Sequence, residues 1–155
     1  MVAPLRWMTV GALAVTMTMG TTAVAGATIS AESELSKKEF IKAADDLCRQ
    51  ADEILNEVVS SPELSPPDGG SPTPQQIEDF VEEHLIPVYQ QVHDSIEALP
   101  EPDADTAKIK KLLKALQKEL VALEDDPQAV ATVKGPFPKS GKLAKKYGFK
   151  VCGSG

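Results

Sequence analysis

From Ser36 onward the apolar residues advance by threes and fours, the period of an amphipathic helix. Ser36 with Glu39 three positions later forms a capping-box signature, and Phe40, Ile41, Ala44, Leu47, Cys48, Ala51, Ile54, Leu55 and Val58 trace one stripe behind it. The helix must stop near Val59, because SSPELSPPDGGSPTP carries five prolines and two glycines. Thr73, Pro74 and Gln76 repeat the start signal. A second stripe runs through Ile77, Phe80, Val81, His84, Leu85, Val88, Val92, Ile96 and Leu99, and Pro87 inside it predicts a kink, since the stripe resumes beyond it. After the break at PEPDAD, Ile109, Leu112, Leu113, Leu116, Leu120 and Leu123 predict a third helix, with Pro127 past its end. No stretch alternates with period two, so no sheet is expected.

The remainder, from Gln128, is interrupted by Gly and Pro, yet Lys139 to Tyr147 can make two helical turns closed by Gly148, with Phe149 placed for the apolar contact of a Schellman motif. Val151 and Cys152 are expected to run on extended along the helices. The fold class is therefore all-α: an antiparallel three-helix bundle with a short C-terminal helix and tail.

The first residues decide what the two cysteines do. Arg6 precedes an apolar stretch from Trp7 to Met19 that meets Ala23-Val24-Ala25, the form of a cleavable export signal. An uncleaved anchor is the competing reading, since Trp7 to Ala27 spans 21 residues, about what a bilayer needs. The Thr and Gly content and the small-residue end favour cleavage. The organisation expected is a signal peptide at 1–25, a flexible segment at 26–35 and a helical domain at 36–155, with no membrane span after cleavage. Cleavage after Ala25 removes all four methionines and the single Trp, leaving 130 residues with a formal charge of −8. A secreted chain of that size, extracellular or in the cell envelope, is expected to bridge Cys48 to Cys152. Closing a loop of about a hundred residues is worth roughly 4 to 5 kcal/mol on chain-entropy grounds, a large share of the stability of a small core.

Charge is unevenly spread. All 23 acidic residues lie between Glu32 and Asp126, while the segment after Pro127 has six lysines and no acid. In an antiparallel arrangement Asp52, Glu53, Glu57, Glu78, Asp79, Glu82, Glu83, Glu124, Asp125 and Asp126 share one pole, opposing the macrodipole at the ends of the first and third helices. The lysines after Pro127 are expected mainly to neutralise that pole. Divalent-cation binding by Glu82, Glu83, Glu124, Asp125 and Asp126 is the alternative use of the same carboxylates.

Candidate chemistry is sparse. His84 and His93 lie nine residues apart, on opposite sides of a straight helix, so they cannot share a metal. His84 falls on the apolar stripe and is expected at the core edge, satisfied by hydrogen bonds. Tyr89, His93 and Glu97 line one face at intervals of four and make a candidate ligand, haem or metal face. DAD at 103–105 lacks the later oxygen ligands and Gly of a calcium loop, and DGGSPTP has no Lys and no preceding strand for a phosphate loop. No nucleophile pairs with a base, so an enzyme is not expected and no catalytic residue is named. An acidic body poor in aromatics excludes nucleic acid as a partner.

AADDLCRQA in the first helix, IEALPEP between the later ones and LAKKYGFKVCG at the end together resemble small secreted or lipid-anchored helical proteins of actinobacteria. The resemblance implies a helical fold, an envelope or extracellular address and a bridged cysteine pair, and no activity or cofactor. The lipid-attachment cysteine of the anchored members has no counterpart here. The expectation is thus an exported, non-enzymatic binding or structural module with an envelope or extracellular protein as its partner; the alternative is a small-ligand, haem or metal-ion carrier.

Overall fold

Ser36 starts the first helix as its sequence predicts: the Glu39 N–H donates to Ser36 Oγ at 3.3 Å and the Ser36 N–H to Glu39 Oε2 at 3.0 Å. The computed structural model describes residues 34–61, 70–132 and 136–153; the expected signal segment 1–25, most of 26–35 and Lys134 lie outside the described residues. The elements are α1 (Lys37–Val59), α2 (Pro74–Phe80), a π-helical turn (Val81–Leu85), α3 (Ile86–Glu97), a 3₁₀ turn (Asp103–Asp105), α4 (Thr106–Asp125), α5 (Ala129–Thr132) and α6 (Pro138–Tyr147). The protein is all-α, with no strand among the described residues, and α1 packs on α3, α3 on α4, and α4 on α6. None of the described helices is long and apolar enough to cross a membrane.

Burial follows the stripes closely. All six stripe positions of α4 are buried, and so are Phe40, Ala44, Cys48 and Ala51 of α1. Ile54 departs from its stripe and is 49% exposed, while Leu55, one position on, packs against the buried cluster that includes Val81, Leu85 and Leu120. Past Pro87 the second stripe continues as expected, with Val92 and Ile96 buried. The Pro87 ring removes the N–H that would bond the Glu83 carbonyl, and a residue is inserted into the helix just before it: the Ile86 N–H reaches back five positions to the Val81 carbonyl. Ile86, at the end of this π turn, is buried although it lies off the expected stripe. His84 is half-buried beside the Phe80 ring, at 6.3 Å between centroids, and among the described residues it makes no hydrogen bond of the kind expected for it.

α6 runs antiparallel to α4. Glu119 of α4 accepts the Lys139 and Ser140 N–H groups at 2.6 and 2.9 Å, capping the start of α6, and the Tyr147 hydroxyl at its far end donates to Asp105 at 3.1 Å. Gly148 then closes the helix with φ 121°, and the Phe149 N–H bonds the Ala144 carbonyl at 3.1 Å while its ring is buried against Phe40 and Tyr147. A Cβ at Gly148 would stand 3.2 Å from Ile41 Cδ1 on a backbone that side chains rarely adopt. Gly148→Ala should therefore destabilise by about 1 to 2 kcal/mol, measured as a shift in the urea midpoint at unchanged slope.

The tail does not run extended as expected. Lys150 to Gly153 bends around Asp45 of α1, whose carboxylate accepts the N–H groups of Lys150, Val151 and Cys152 at 2.9 to 3.2 Å. Three successive N–H groups can converge on one anion only if the backbone is concave, which excludes a strand here. The disulfide Cys48–Cys152 fastens this turn to α1, with the two Cα atoms 5.3 Å apart.

The charge expectation for the C-terminal lysines needs correction. Among the described residues the Lys and Arg ion pairs are Lys37–Asp105, Lys108–Asp105, Lys42–Asp46 and Arg49–Asp46, and none involves Lys139, Lys142, Lys145, Lys146 or Lys150. Because α6 descends α4, its last turn ends beside the start of α1, where Lys146 joins Lys37, Lys108 and Lys111 around a shallow hollow, away from the acidic pole.

Candidate functional site

One turn beyond Cys48 on α1 stands Asp52, and the space in front of both is a cavity of about 170 Å³. Its apolar floor is made by Val92 and Ile96 of α3 with Leu112 and Leu116 of α4. The remaining wall is the C-terminal segment: Phe137, Ser140, Gly141 and Ala144 of α6 and its approach, with Val151 and the disulfide. The space exists because α6 turns small residues inward. Ser140, Gly141 and Ala144 leave room between this helix and the body that larger side chains would fill, and the disulfide and the Asp45 turn hold the helix in place above it.

Tyr89 supplies an aromatic wall. Its ring meets Phe137 at 4.4 Å between centroids, at 60°. Burial, and then the charge of Asp52, push its hydroxyl pKa up to about 12. Partial burial likewise raises the Asp52 carboxyl pKa from its ordinary value. Ser140 Oγ donates to Glu119 at 2.6 Å, but that carboxylate is occupied in capping α6, so the pair belongs to the helix start.

At the far end of α6, burial and the hydrogen bond to Asp105 raise the Tyr147 pKa as well, while Lys108 beside Asp105 holds that carboxyl below its ordinary value. The chain has two tyrosines. Both bind their protons more tightly folded than unfolded, so this contribution to stability is complete below about pH 10, and the share of Tyr89 is lost as pH rises through about 12. Absorbance at the tyrosinate band should stay near zero in the native protein at about pH 10.5, where the urea-unfolded chain is largely ionised. A native protein with half its tyrosines ionised at that pH would contradict this.

Of the trio Tyr89, His93 and Glu97, the structure turns Tyr89 into the cavity, whose lining includes neither His93 nor Glu97. His93 and Glu97 stay together and are joined by Asp94: one ligand atom from each lies within 4.8 Å of the others, with His93 Nδ1 3.0 Å from Asp94 Oδ1. No other such group occurs among the described residues. Glu82, Glu83, Glu124, Asp125 and Asp126 are all exposed and do not converge, and Gln90 donates to Glu124 at 3.3 Å.

The reading of the stripes missed Asp45, Asp52 and Glu119, because a carboxylate on a helix is by default a solvated one. A usable signal lay at S-G-K-L-A in 140–144, where small residues occupy a helix that has little else to pack with. No protein-family model, curated protein or solved structure matches this chain.

Proposed function

We propose that the chain is an exported, non-enzymatic binding module of the cell envelope or extracellular space, of the actinobacterial kind its two ends resemble. Its three main helices form an antiparallel bundle, and the cavity between bundle and tail is the binding element. The observation that supports this most is the lining: four apolar side chains from the bundle face a wall built by the C-terminal segment, which the disulfide keeps closed. A cavity of about 150 Å³ with such walls can accept a benzene-sized ring, and this one measures about 170 Å³. Apolar ligands bind in such sites through burial of their surface.

The test is ligand-observed NMR with 2-phenylethanol. Saturable binding is expected, abolished in Gly141→Leu, which fills the space while retaining helical circular dichroism. Absent binding, or binding indifferent to that substitution, would remove the reading. Export is tested separately, by fractionating native cells and counting thiols in the envelope and medium fractions; two titratable thiols there would contradict the oxidised form.

A second reading rests on His93, Asp94 and Glu97, whose ligand atoms approach within 4.8 Å. Imidazole with carboxylates suits a divalent transition metal. Zinc should then raise the melting temperature of the wild type and leave His93→Ala unmoved; equal shifts in both would assign the effect to the scattered acidic pole.

A further inference from the structure

The cavity is mostly apolar; its Ser140 hydroxyl is committed to Glu119, and one carboxylate, Asp52, stands on its lining. Asp52 takes no cation and no hydrogen bond from any described residue, although Arg49 lies three positions before it on α1: that guanidinium is committed to Asp46, at 2.6 Å. A carboxylate brought partly out of water without a partner is costly, and proteins seldom keep one there without use. Beside it, the Tyr89 ring and the Phe137 ring meet at 4.4 Å. A carboxylate next to aromatic rings at the edge of an apolar hollow is the chemistry that receives an organic ammonium: the charge pairs with the acid, the N–H or N–CH groups lie against the ring quadrupoles, and the hydrocarbon enters the floor. The molecule's formal charge of −7 adds a field that gathers cations around it.

We propose that this cavity binds a small organic amine, a single ring or short hydrocarbon chain bearing a protonated nitrogen, with Asp52 as its counter-ion and Tyr89 and Phe137 as its aromatic contacts. The size is set by the cavity, about 170 Å³, close to that of engineered cavities that hold one benzene ring. The inference rests on the cavity being the binding element, and its test separates the two claims.

Three probes of one shape differ only in the head group: 2-phenylethylamine, 2-phenylethanol and phenylacetate. Titration calorimetry with the full oxidised chain should give the order amine, alcohol, acid, with the amine tighter than the alcohol on the order of tenfold. Asp52→Asn should bring the amine down to the alcohol's affinity and leave the alcohol unchanged. The substitution keeps shape and removes no partner, so the variant should melt at or above the wild-type temperature. Equal affinity for amine and alcohol, a preference for the acid, or an amine affinity untouched by Asp52→Asn would overturn the proposal while the cavity reading stands. Failure of all three probes to bind would overturn both.

Discussion

Reduced protein, or the Cys48→Ala/Cys152→Ala double variant, should melt about 15 °C below the oxidised wild type. The bond joins residues 104 positions apart, and restricting the unfolded chain over such a loop is worth roughly 4 to 5 kcal/mol, which in a domain of this size is about 3 to 4 °C for each kcal/mol. Alanine is chosen over serine because Cys48 is 95% buried, and a hydroxyl there would add an unrelated penalty. The folded form should persist at room temperature with its helical content intact, since Phe149, the Glu119 cap and the Asp45 turn still hold α6 against the body. The cavity should not survive unchanged: Val151 and both cysteines are part of its wall, so affinity for 2-phenylethanol should fall with the melting temperature. A reduced protein melting within about 3 °C of the oxidised one, less than 1 kcal/mol on the same scale, would mean that the tail is fixed by its other contacts and that the bond adds almost nothing.

The features legible from residue order alone are those decided within about one helical turn. Ser36 with Glu39 and Thr73 with Gln76 both form the reciprocal caps their spacing predicts, because a cap is a contact between residues three apart. The leucine stripe of α4 is buried at every position, and Gly148 ends α6 where a left-handed residue was needed. Pro87 shows where local reading stops. Its missing donor demands a remedy, but nothing in the residues around it specifies the π turn that forms there, where Val81, Leu85 and Ile86 pack with the leucines of α4. The seating of α6 and the cavity beneath it depend on contacts of longer reach: Glu119 acts across 20 residues and Tyr147 reaches 42 back to Asp105. Nothing in the spacing of carboxylates distinguishes Glu119 or Asp52 from the solvated acids beside them. That distinction is made only when another segment arrives.

Asp45 is the strongest case of such a contact, and its removal should cost nearly as much as the disulfide. It sits in A-A-D-D-L-C, indistinguishable in pattern from Asp46, yet Asp46 is paired with surface cations while Asp45 is 92% buried and accepts N–H groups from residues more than a hundred positions away. In Asp45→Ala the Lys150, Val151 and Cys152 donors lose their acceptor while the disulfide still holds them against α1, so the loss should be about 3 kcal/mol, with Asp45→Asn intermediate because one carbonyl oxygen remains. The tether makes the loss large. Without the bond the tail can swing away and hydrate the freed donors, so in the Cys48→Ala/Cys152→Ala background Asp45→Ala should cost about 1 to 2 kcal/mol less than in the oxidised protein. Urea denaturation of the four proteins of this cycle measures the difference directly. Additivity to within about 0.5 kcal/mol would show that carboxylate and disulfide hold the tail independently, and the account of a single fastening made from a covalent bond and an anion-centred turn would then fail.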